Sequence, residues 1–141
     1  MHVDIVSAEA EIYSGTVNMV FAPAMMGEVG IAARHAPMIT RLKAGSVRVQ
    51  PQGGEEQSFY VSGGMLEVQP HVVTVLADVA QRAEDLDEQA AMEAKKRAED
   101  AMAGQEGELT YEEAHAQLTE AMAKLEVIRH LKDLKHGRSR A

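Results

Sequence analysis

The sequence contains no cysteine and no tryptophan, and tyrosine and phenylalanine supply only 3 and 2 of its 141 residues. Without cysteine the chain cannot form disulfide bonds, thiolate metal sites or a cysteine nucleophile. No apolar run approaches the roughly 18 residues that a membrane-spanning helix needs, and the N-terminus resembles no signal or transit peptide. Basic residues are also scarce, 14 against 22 acidic ones for a net charge of −8, which disfavours general nucleic-acid binding. We expect a globular protein that stays soluble in the compartment where it is made.

The composition changes near residue 80. All four prolines and eight of the 11 glycines precede that point, whereas residues 81–128 contain 11 alanines and no proline. The net charge is −4 over residues 1–80, −8 over residues 81–128 and +4 over residues 129–141. These shifts predict two domains, a β domain over residues 1–84 and a helical domain over residues 85–141.

The first part of the chain consists of short apolar runs separated by turn residues, which is typical of strands. The segments Val47–Val49 and Leu66–Val68 alternate apolar and polar residues, so one side of each strand should be buried and the other solvated. No long helix interrupts the runs, and we therefore predict an antiparallel sandwich or a flattened barrel rather than a parallel sheet. The predicted strands are Val3–Val6, Val17–Phe21, Val29–Ala32, Ile39–Leu42, Ser46–Val49, Phe59–Val61, Met65–Val68 and Val72–Leu76.

Two helices are predicted in the second part. Residues 85–88 and 110–113 carry capping signals for their N-termini, Gly104 and Gly107 interrupt the pattern between them, and Gly137 is the predicted C-terminal stop. Two helices joined by about six residues are predicted to form an antiparallel hairpin. The expected apolar stripes are Leu86, Ala90, Ala94, Ala98 and Met102 on the first helix, and Ala114, Leu118, Ala121, Met122, Leu125, Ile128 and Leu131 on the second.

The apolar stripe of the first helix is mostly alanine. A methyl group buries little area, so such a seam attaches the helix weakly. A weakly attached, strongly acidic hairpin is able to leave the β domain at a small cost in free energy. The alternative explanation is that alanine is present because it favours helix formation. Composition alone does not separate the two.

The sequence contains no catalytic signature. There is no glycine-rich phosphate loop and no pair of histidines at metal-ligand spacing on a helix. Glu67, His71 and Asp78 flank a predicted hairpin, and their convergence would make a small hydrolase or metal site. The simpler interpretation places the same three side chains on the solvated side of the sheet.

Two charged segments are candidates for contact with other molecules. His35 follows a loop with two glycines and precedes Pro37, so it is either a contact residue on an exposed edge or a turn residue bonded to the backbone. Basic residues recur near the C-terminus at helical spacing, followed by Arg138 and Arg140. They are suited to an acidic protein surface or anionic lipid, or they simply complement the helix dipole. These basic residues are Lys124, Arg129, Lys132 and Lys135.

Taken in order, several segments closely resemble the epsilon subunit of the bacterial F-type ATP synthase. The resemblance spans about Val3 to Leu134. Each segment alone is modestly specific, but their order, followed by an alanine-rich hairpin, is strongly specific. The segments are Asp4-Ile5-Val6-Ser7, Tyr13-Ser14-Gly15, Gly27-Glu28-Val29-Gly30-Ile31, His35-Ala36-Pro37-Met38, the run from Tyr60 to Pro70, and the run from Val72 to Asp78.

The resemblance implies a flattened sandwich of about ten strands, a two-helix hairpin, and a non-catalytic part of the rotating central stalk. It implies that the sandwich binds the gamma subunit and rests on the membrane ring of c subunits through Glu28 and His35. Proton-driven rotation would pass from ring to catalytic head. The subunit would lie at the cytoplasmic face of the bacterial inner membrane, associated with it only through the complex, with no cofactor and no nucleic-acid partner.

The resemblance also implies a regulatory role for the hairpin. In the extended form it would reach the alpha and beta subunits and block ATP hydrolysis, with Lys124, Arg129, Lys132 and Lys135 near an acidic stretch of beta. Some members of the family bind ATP on the hairpin through a motif that ends in Arg-Ala. Here Asp87 is retained, but Ala90 replaces the arginine and Glu120 stands where strong binders have a cation, so we expect weak ATP binding or none. The alternative to a rotor subunit is an adaptor that docks its hairpin on a partner helix.

Overall fold

A computed structural model describes residues 1–104 and 109–139 of the chain, with side chains up to His136. The chain divides into two compact units, Met1–Ala83 and Glu84–Ala141. Within the described residues, no helix combines the length and the apolar character needed to cross a bilayer.

The first unit is built from nine strands. Their hydrogen-bonded order is β1-β8-β7-β4-β2-β5-β6-β9, with β3 paired to β2 and β1 paired to both β8 and β2. Every pairing is antiparallel except that of β1 with β8. The strands are β1 His2–Ser7, β2 Glu11–Ala24, β3 Gly27–Ala32, β4 Met38–Leu42, β5 Gly45–Pro51, β6 Gln57–Val61, β7 Gly64–Val68, β8 Val72–Ala77 and β9 Ala80–Arg82.

The 14-residue strand β2 joins the two layers of the sandwich. Its first half pairs with β1, and its second half pairs with β3 on one side and β5 on the other. At its end, Ala24 pairs with Leu42 of β4. One continuous strand therefore belongs to both layers, β1-β8-β7-β4 and β3-β2-β5-β6-β9.

The core between the layers is formed by the inward side chains of alternating strand residues. Val47, Val49, Leu66 and Val68 are buried as the alternation predicted. The tilted rings of Tyr13 and Phe59, with centroids 5.5 Å apart, extend this core beyond the aliphatic residues. The largest completely buried members of the core cluster are Phe59, Ile5, Ile31, Leu66, Val3, Val20, Val47, Val49, Val61, Val73 and Val75.

The predicted β-sandwich followed by a helical hairpin is confirmed, with three differences in detail. Nine strands are present in the described residues rather than about ten. Strand β2 is much longer than the predicted segment Val17–Phe21, because its first half mixes partly buried Ile12 and Tyr13 with exposed polar residues and carries no apolar run. Strand β9 was not predicted, because three residues are too few to show a period of two.

A pair of glycines allows β7 to lie close against β8. Gly63 and Gly64 have φ angles of 124° and 144°, which residues other than glycine rarely adopt. A Cβ on Gly64 would lie 2.0 Å from the carbonyl oxygen of Leu76. Only glycine therefore fits at this turn between β6 and β7.

The second unit contains one turn of 3-10 helix, Ala83–Asp85, and two helices, α1 Glu88–Met102 and α2 Tyr111–Ser139. Asp87 is the N-cap of α1, and its Oδ1 accepts a hydrogen bond of 3.0 Å from the amide of Ala90. The Oγ1 of Thr110 accepts one of 3.1 Å from the amide of Glu113, so the second capping signal is confirmed. The N-cap of α1 is therefore two residues after Asp85, the first acidic residue of the predicted capping signal.

The helices are antiparallel, and small residues line the seam between them. Ala91 and Ala98 of α1 are buried, as are Ala114, Ala121 and Ile128 of α2, so both sets recur every seven residues. An ion pair between Lys132 and Glu88 shows how the helices are aligned. From this alignment we expect Ala91 to lie opposite Ile128 and Ala98 opposite Ala121.

The predicted stripes were partly wrong. Ala90 is exposed and Ala91 takes its place, because the seam follows a seven-residue repeat rather than a strict spacing of four. Met122 is 51% exposed, whereas Val127 is buried. Helix α2 also continues through Gly137 to Ser139, so Gly137 is not the stop. Gly104, with a φ of 75°, closes α1 as predicted, and Gly107 lies outside the described residues.

Candidate partner-binding surfaces

Glu28 lies on the exposed side of β3, beside the tip of the β2–β3 hairpin. It is the second residue of the strand and pairs with Pro23 of β2. Its Oε1 accepts a hydrogen bond of 2.8 Å from Nη2 of Arg48, yet its side chain remains 54% exposed. The two residues before the strand, Met25 and Met26, are 57% and 99% exposed. This tip therefore presents a carboxylate next to two apolar side chains.

His35 lies in the loop between β3 and β4. Its Nδ1–H donates to the carbonyl oxygen of Ala36 at 2.7 Å. The preceding Arg34 has a φ of 67°, and its amide donates to the carbonyl of Pro70, so the loop is held against the β7–β8 turn. The histidine is thus bonded to the backbone and partly exposed at the same time.

The structure does not bring Glu28 and His35 together into one compact site. Glu28 is near the start of β3, and His35 follows its last residue, Ala32. Four steps along a strand cover about 13 Å. A partner that contacts both residues must therefore extend along the hairpin rather than occupy a single point.

Four apolar side chains are exposed among polar ones on the outer side of the β8-β7-β4 layer. The side chains point away from the core because the intervening residues of each strand are buried. Leu76 pairs directly with Met65, and Met65 is diagonal to Ile39, which pairs with Glu67. We call this surface the outer apolar face. Its members are Ile39, Met65, Val72 and Leu76, with exposures of 69%, 36%, 36% and 47%.

The four basic residues of α2 differ in their surroundings. Lys124 pairs with Glu120 one turn earlier at 3.0 Å, and Lys132 pairs with Glu88 at the start of α1. Arg129 and Lys135 are exposed. Two of the four charges are therefore balanced by acidic side chains of the hairpin itself in this arrangement of the helices.

The rival enzyme hypothesis is contradicted by the topology. His71 precedes β8 and Asp78 follows it, so the six-residue strand, about 20 Å long, separates them. Glu67 accepts a hydrogen bond from Gln69 on the solvated side of β7 instead. Residues 1–104 and 109–139 contain no group of three or more acidic or histidine side chains arranged to hold a metal ion.

A serine, a histidine and an aspartate do meet elsewhere, on the exposed side of β1 and β2. Asp4 pairs with Ser14 across the two strands, and Ser14 Oγ donates to Asp4 Oδ1 at 2.7 Å. This bond is the main cause of the lowered pKa of Asp4, with a smaller contribution from His2. In a catalytic triad the acid and the serine bond to opposite ring nitrogens. Here both lie 3.0 Å from Nε2 of His2, so the cluster cannot relay a proton to a nucleophile.

Sequence reasoning missed Arg48 and the outer apolar face. Arg48 is far from Glu28 in sequence, and only the register of β5 and β3 on either side of β2 brings them together. The members of the outer apolar face are scattered over three strands. The available signal for this face was the presence of apolar residues at the outward positions of strands that alternate buried and exposed residues.

Comparison with known proteins identifies the family. The beta-sandwich domain of the ATP synthase delta/epsilon chain matches residues 1–83, and the long alpha-helix domain of the same chain matches residues 84–129. The ATP synthase epsilon chain of Nitrosococcus oceani is 66% identical over 132 residues, covering 94% of each chain. Epsilon chain 1 of Methylococcus capsulatus is 58% identical over 139 residues, covering 99% of this chain and 97% of its own.

Solved structures agree in fold. A chain from the Euglena gracilis mitochondrial ATP synthase, determined as an assembly of OSCP, F1 and c-ring, matches 95% of this chain and 80% of its own with a TM-score of 0.69 at 22% identity. A chain from the central stalk and c-ring of the Tetrahymena thermophila enzyme matches 91% of this chain with a TM-score of 0.60 at 13% identity. The chain therefore belongs to the family of ATP synthase epsilon chains, non-catalytic subunits of the central stalk of the F-type ATP synthase.

Proposed function

We propose that the β domain holds the gamma subunit through its outer apolar face. Ile39, Met65 and Leu76 expose apolar area close together on one side of the sheet, and clustered exposed apolar residues favour contact with a partner. A rotor subunit must transmit torque without dissociating, and permanent protein–protein interfaces are more apolar than transient ones. This exposed face is the observation that carries the assembly role.

We further propose that the hairpin tip and the neighbouring loop rest on the c-ring. Glu28 offers a half-exposed carboxylate, and His35 offers a second ring nitrogen for which no hydrogen bond is found within the described part of the chain. Both groups are suited to bonding with polar loops of the ring. The subunit would lie at the cytoplasmic face of the inner membrane, held there by the complex. Proton-driven rotation of the ring would pass through these contacts to gamma and the catalytic head.

The hairpin is proposed to inhibit ATP hydrolysis by extending toward the alpha and beta subunits. Its seam is largely alanine, and burying one methyl group gains only about 0.8 kcal/mol, against roughly 1.5–3 kcal/mol for a leucine side chain. The exposed ion pair of Lys132 with Glu88 adds at most about 1 kcal/mol. Separation of the helices is therefore inexpensive, and it frees Lys132 to join Arg129 and Lys135 on an acidic partner.

Weak nucleotide binding is proposed for the same hairpin. The carboxylate of Asp87 is already used to cap α1, and Ala90 offers no cation beside it. Glu120 adds a negative charge and pairs with Lys124, so the cation nearest to it is neutralised.

The first prediction concerns the outer apolar face. Replacing Ile39 by aspartate leaves the fold intact, because the side chain is 69% exposed. It should weaken binding to an alpha-beta-gamma complex lacking this chain by at least about tenfold, since a charge would be buried against apolar surface. Met26→Asp is the matched control, because Met26 is 99% exposed but lies outside the face. Equal affinities for the two variants would contradict the proposed gamma contact.

The second prediction concerns the hairpin. A chain that ends at Asp85 should assemble with gamma and support coupled proton pumping, while ATP hydrolysis by the assembled enzyme rises severalfold. The double variant Arg129→Glu, Lys135→Glu should raise hydrolysis as well, because like charges would face the acidic partner. Lys95→Glu, Lys96→Glu on α1 is its charge-matched control. Unchanged hydrolysis after truncation would remove the inhibitory role, and loss of gamma binding would favour the adaptor alternative.

The third prediction concerns ATP. Isothermal titration calorimetry of the isolated chain should detect no binding at millimolar ATP, because the polyanion meets an acidic hairpin. The double variant Ala90→Arg, Glu120→Arg should bind measurably if the missing cations are the cause. A dissociation constant of about 1 mM or lower for the unmodified chain would show that the proposal of weak binding is wrong.

A further inference from the structure

Arg48 of the β domain is held by two carboxylates and one aromatic ring. Its Nη2 donates to Glu28 Oε1 at 2.8 Å and its Nη1 to Glu56 Oε1 at 3.4 Å. The guanidinium also lies 4.4 Å above the centre of the Phe21 ring, and the side chain is only 20% exposed. Three strands or their connections therefore hold this one group.

The register of the sheet builds this arrangement. Phe21 of β2 pairs with Arg48 of β5 on one side and with Gly30 of β3 on the other. A Cβ on Gly30 would lie only 3.1 Å from Cε1 of Phe21, so the absence of a side chain lets the ring lie against β3. Arg48, Phe21 and Gly30 thus form a row across three strands. Glu28, two residues before Gly30, lies on the same side of β3 and within reach of the guanidinium.

The contact with Arg48 uses one of the two carboxylate oxygens of Glu28. Among the described residues only its Oε1 is hydrogen-bonded, and the side chain is 54% exposed. An unrestrained glutamate loses rotamer freedom when it binds, and this entropy loss weakens the contact. A glutamate fixed by an arginine that is itself fixed by a ring and a second carboxylate has already lost that freedom. Its Oε2 remains available to a partner as an acceptor whose position is restricted.

We propose that Arg48 is a positioning residue for the contact between Glu28 and the c-ring. This inference rests on the proposed function, because it assumes that Glu28 meets the ring. Arg48 does not touch the partner; it acts by orienting the carboxylate. An arginine is required because the planar guanidinium stacks on Phe21 and bonds two carboxylates at once, which a lysine ammonium cannot do.

The test is a double-mutant cycle on the assembled enzyme. Catalytic heads carrying the full-length variant chains are rebound to membranes from which the head has been removed, and the dissociation constant is measured. Glu28→Gln should weaken binding about tenfold. Arg48→Met should weaken it about fivefold when Glu28 is present and less than about twofold in the Glu28→Gln background. Arg48→Lys should be intermediate, and Lys96→Met controls for loss of one positive charge.

The outcomes separate the two claims. If Glu28→Gln leaves the dissociation constant unchanged, the proposed ring contact fails and the inference about Arg48 fails with it. If Glu28→Gln weakens binding but Arg48→Met weakens it equally in both backgrounds, the ring contact stands and the positioning role is overturned. Thermal unfolding of each variant checks folding. A purely structural Arg48 would lower the melting temperature of Arg48→Met without making its effect on binding depend on Glu28.

Discussion

The long strand β2 is the constraint on which the β domain depends. It pairs with β1 and β4 of one layer and with β3 and β5 of the other, so its register fixes both layers at once. A shift of one residue would turn Phe21 from the outer side into the core and would separate Arg48 from Glu28. The position of Glu28 in the proposed ring contact is therefore set by the backbone pairing of β3 with β2. The outer apolar face belongs to the other layer, where β4 pairs along its length with β7 and at its end, Leu42, with Ala24 of β2.

The two units follow opposite designs. The β domain buries large branched and aromatic side chains such as Phe59, Ile5 and Leu66 between its layers. The hairpin buries mainly alanine, and exposed ion pairs such as Lys132 with Glu88 contribute little. The two proposed roles differ in the same way: holding gamma and the ring requires a part that does not yield, and the proposed inhibition requires a part that changes arrangement at a cost of a few kcal/mol. The change in composition near residue 80, to an alanine-rich segment without proline, reflects this difference between the two units.

Much of this was predictable from the sequence, for local reasons. Alternation in Val47–Val49 and Leu66–Val68 located inner and outer sides of strands, and Thr110 located the start of α2 because capping needs only neighbouring residues. What failed depends on tertiary structure. The first half of β2 and the short β9 carry no periodic signal, and the choice of Ala91 over Ala90 depends on where α2 packs. The ion pair of Arg48 with Glu28 joins residues 20 apart in sequence, and only strand register reveals it.

The central claim is that the two helices of the hairpin are weakly held together and inhibit ATP hydrolysis when they separate. The absence of native cysteine permits the most direct test of this claim. Ala98→Cys, Ala121→Cys places a cysteine pair across the seam, and oxidation locks the helices together. The account predicts that ATP hydrolysis by the assembled enzyme is high when the pair is oxidised and falls severalfold on reduction, while the single variant Ala98→Cys shows no such response. Equal hydrolysis in both redox states, with the disulfide shown to form, would contradict it.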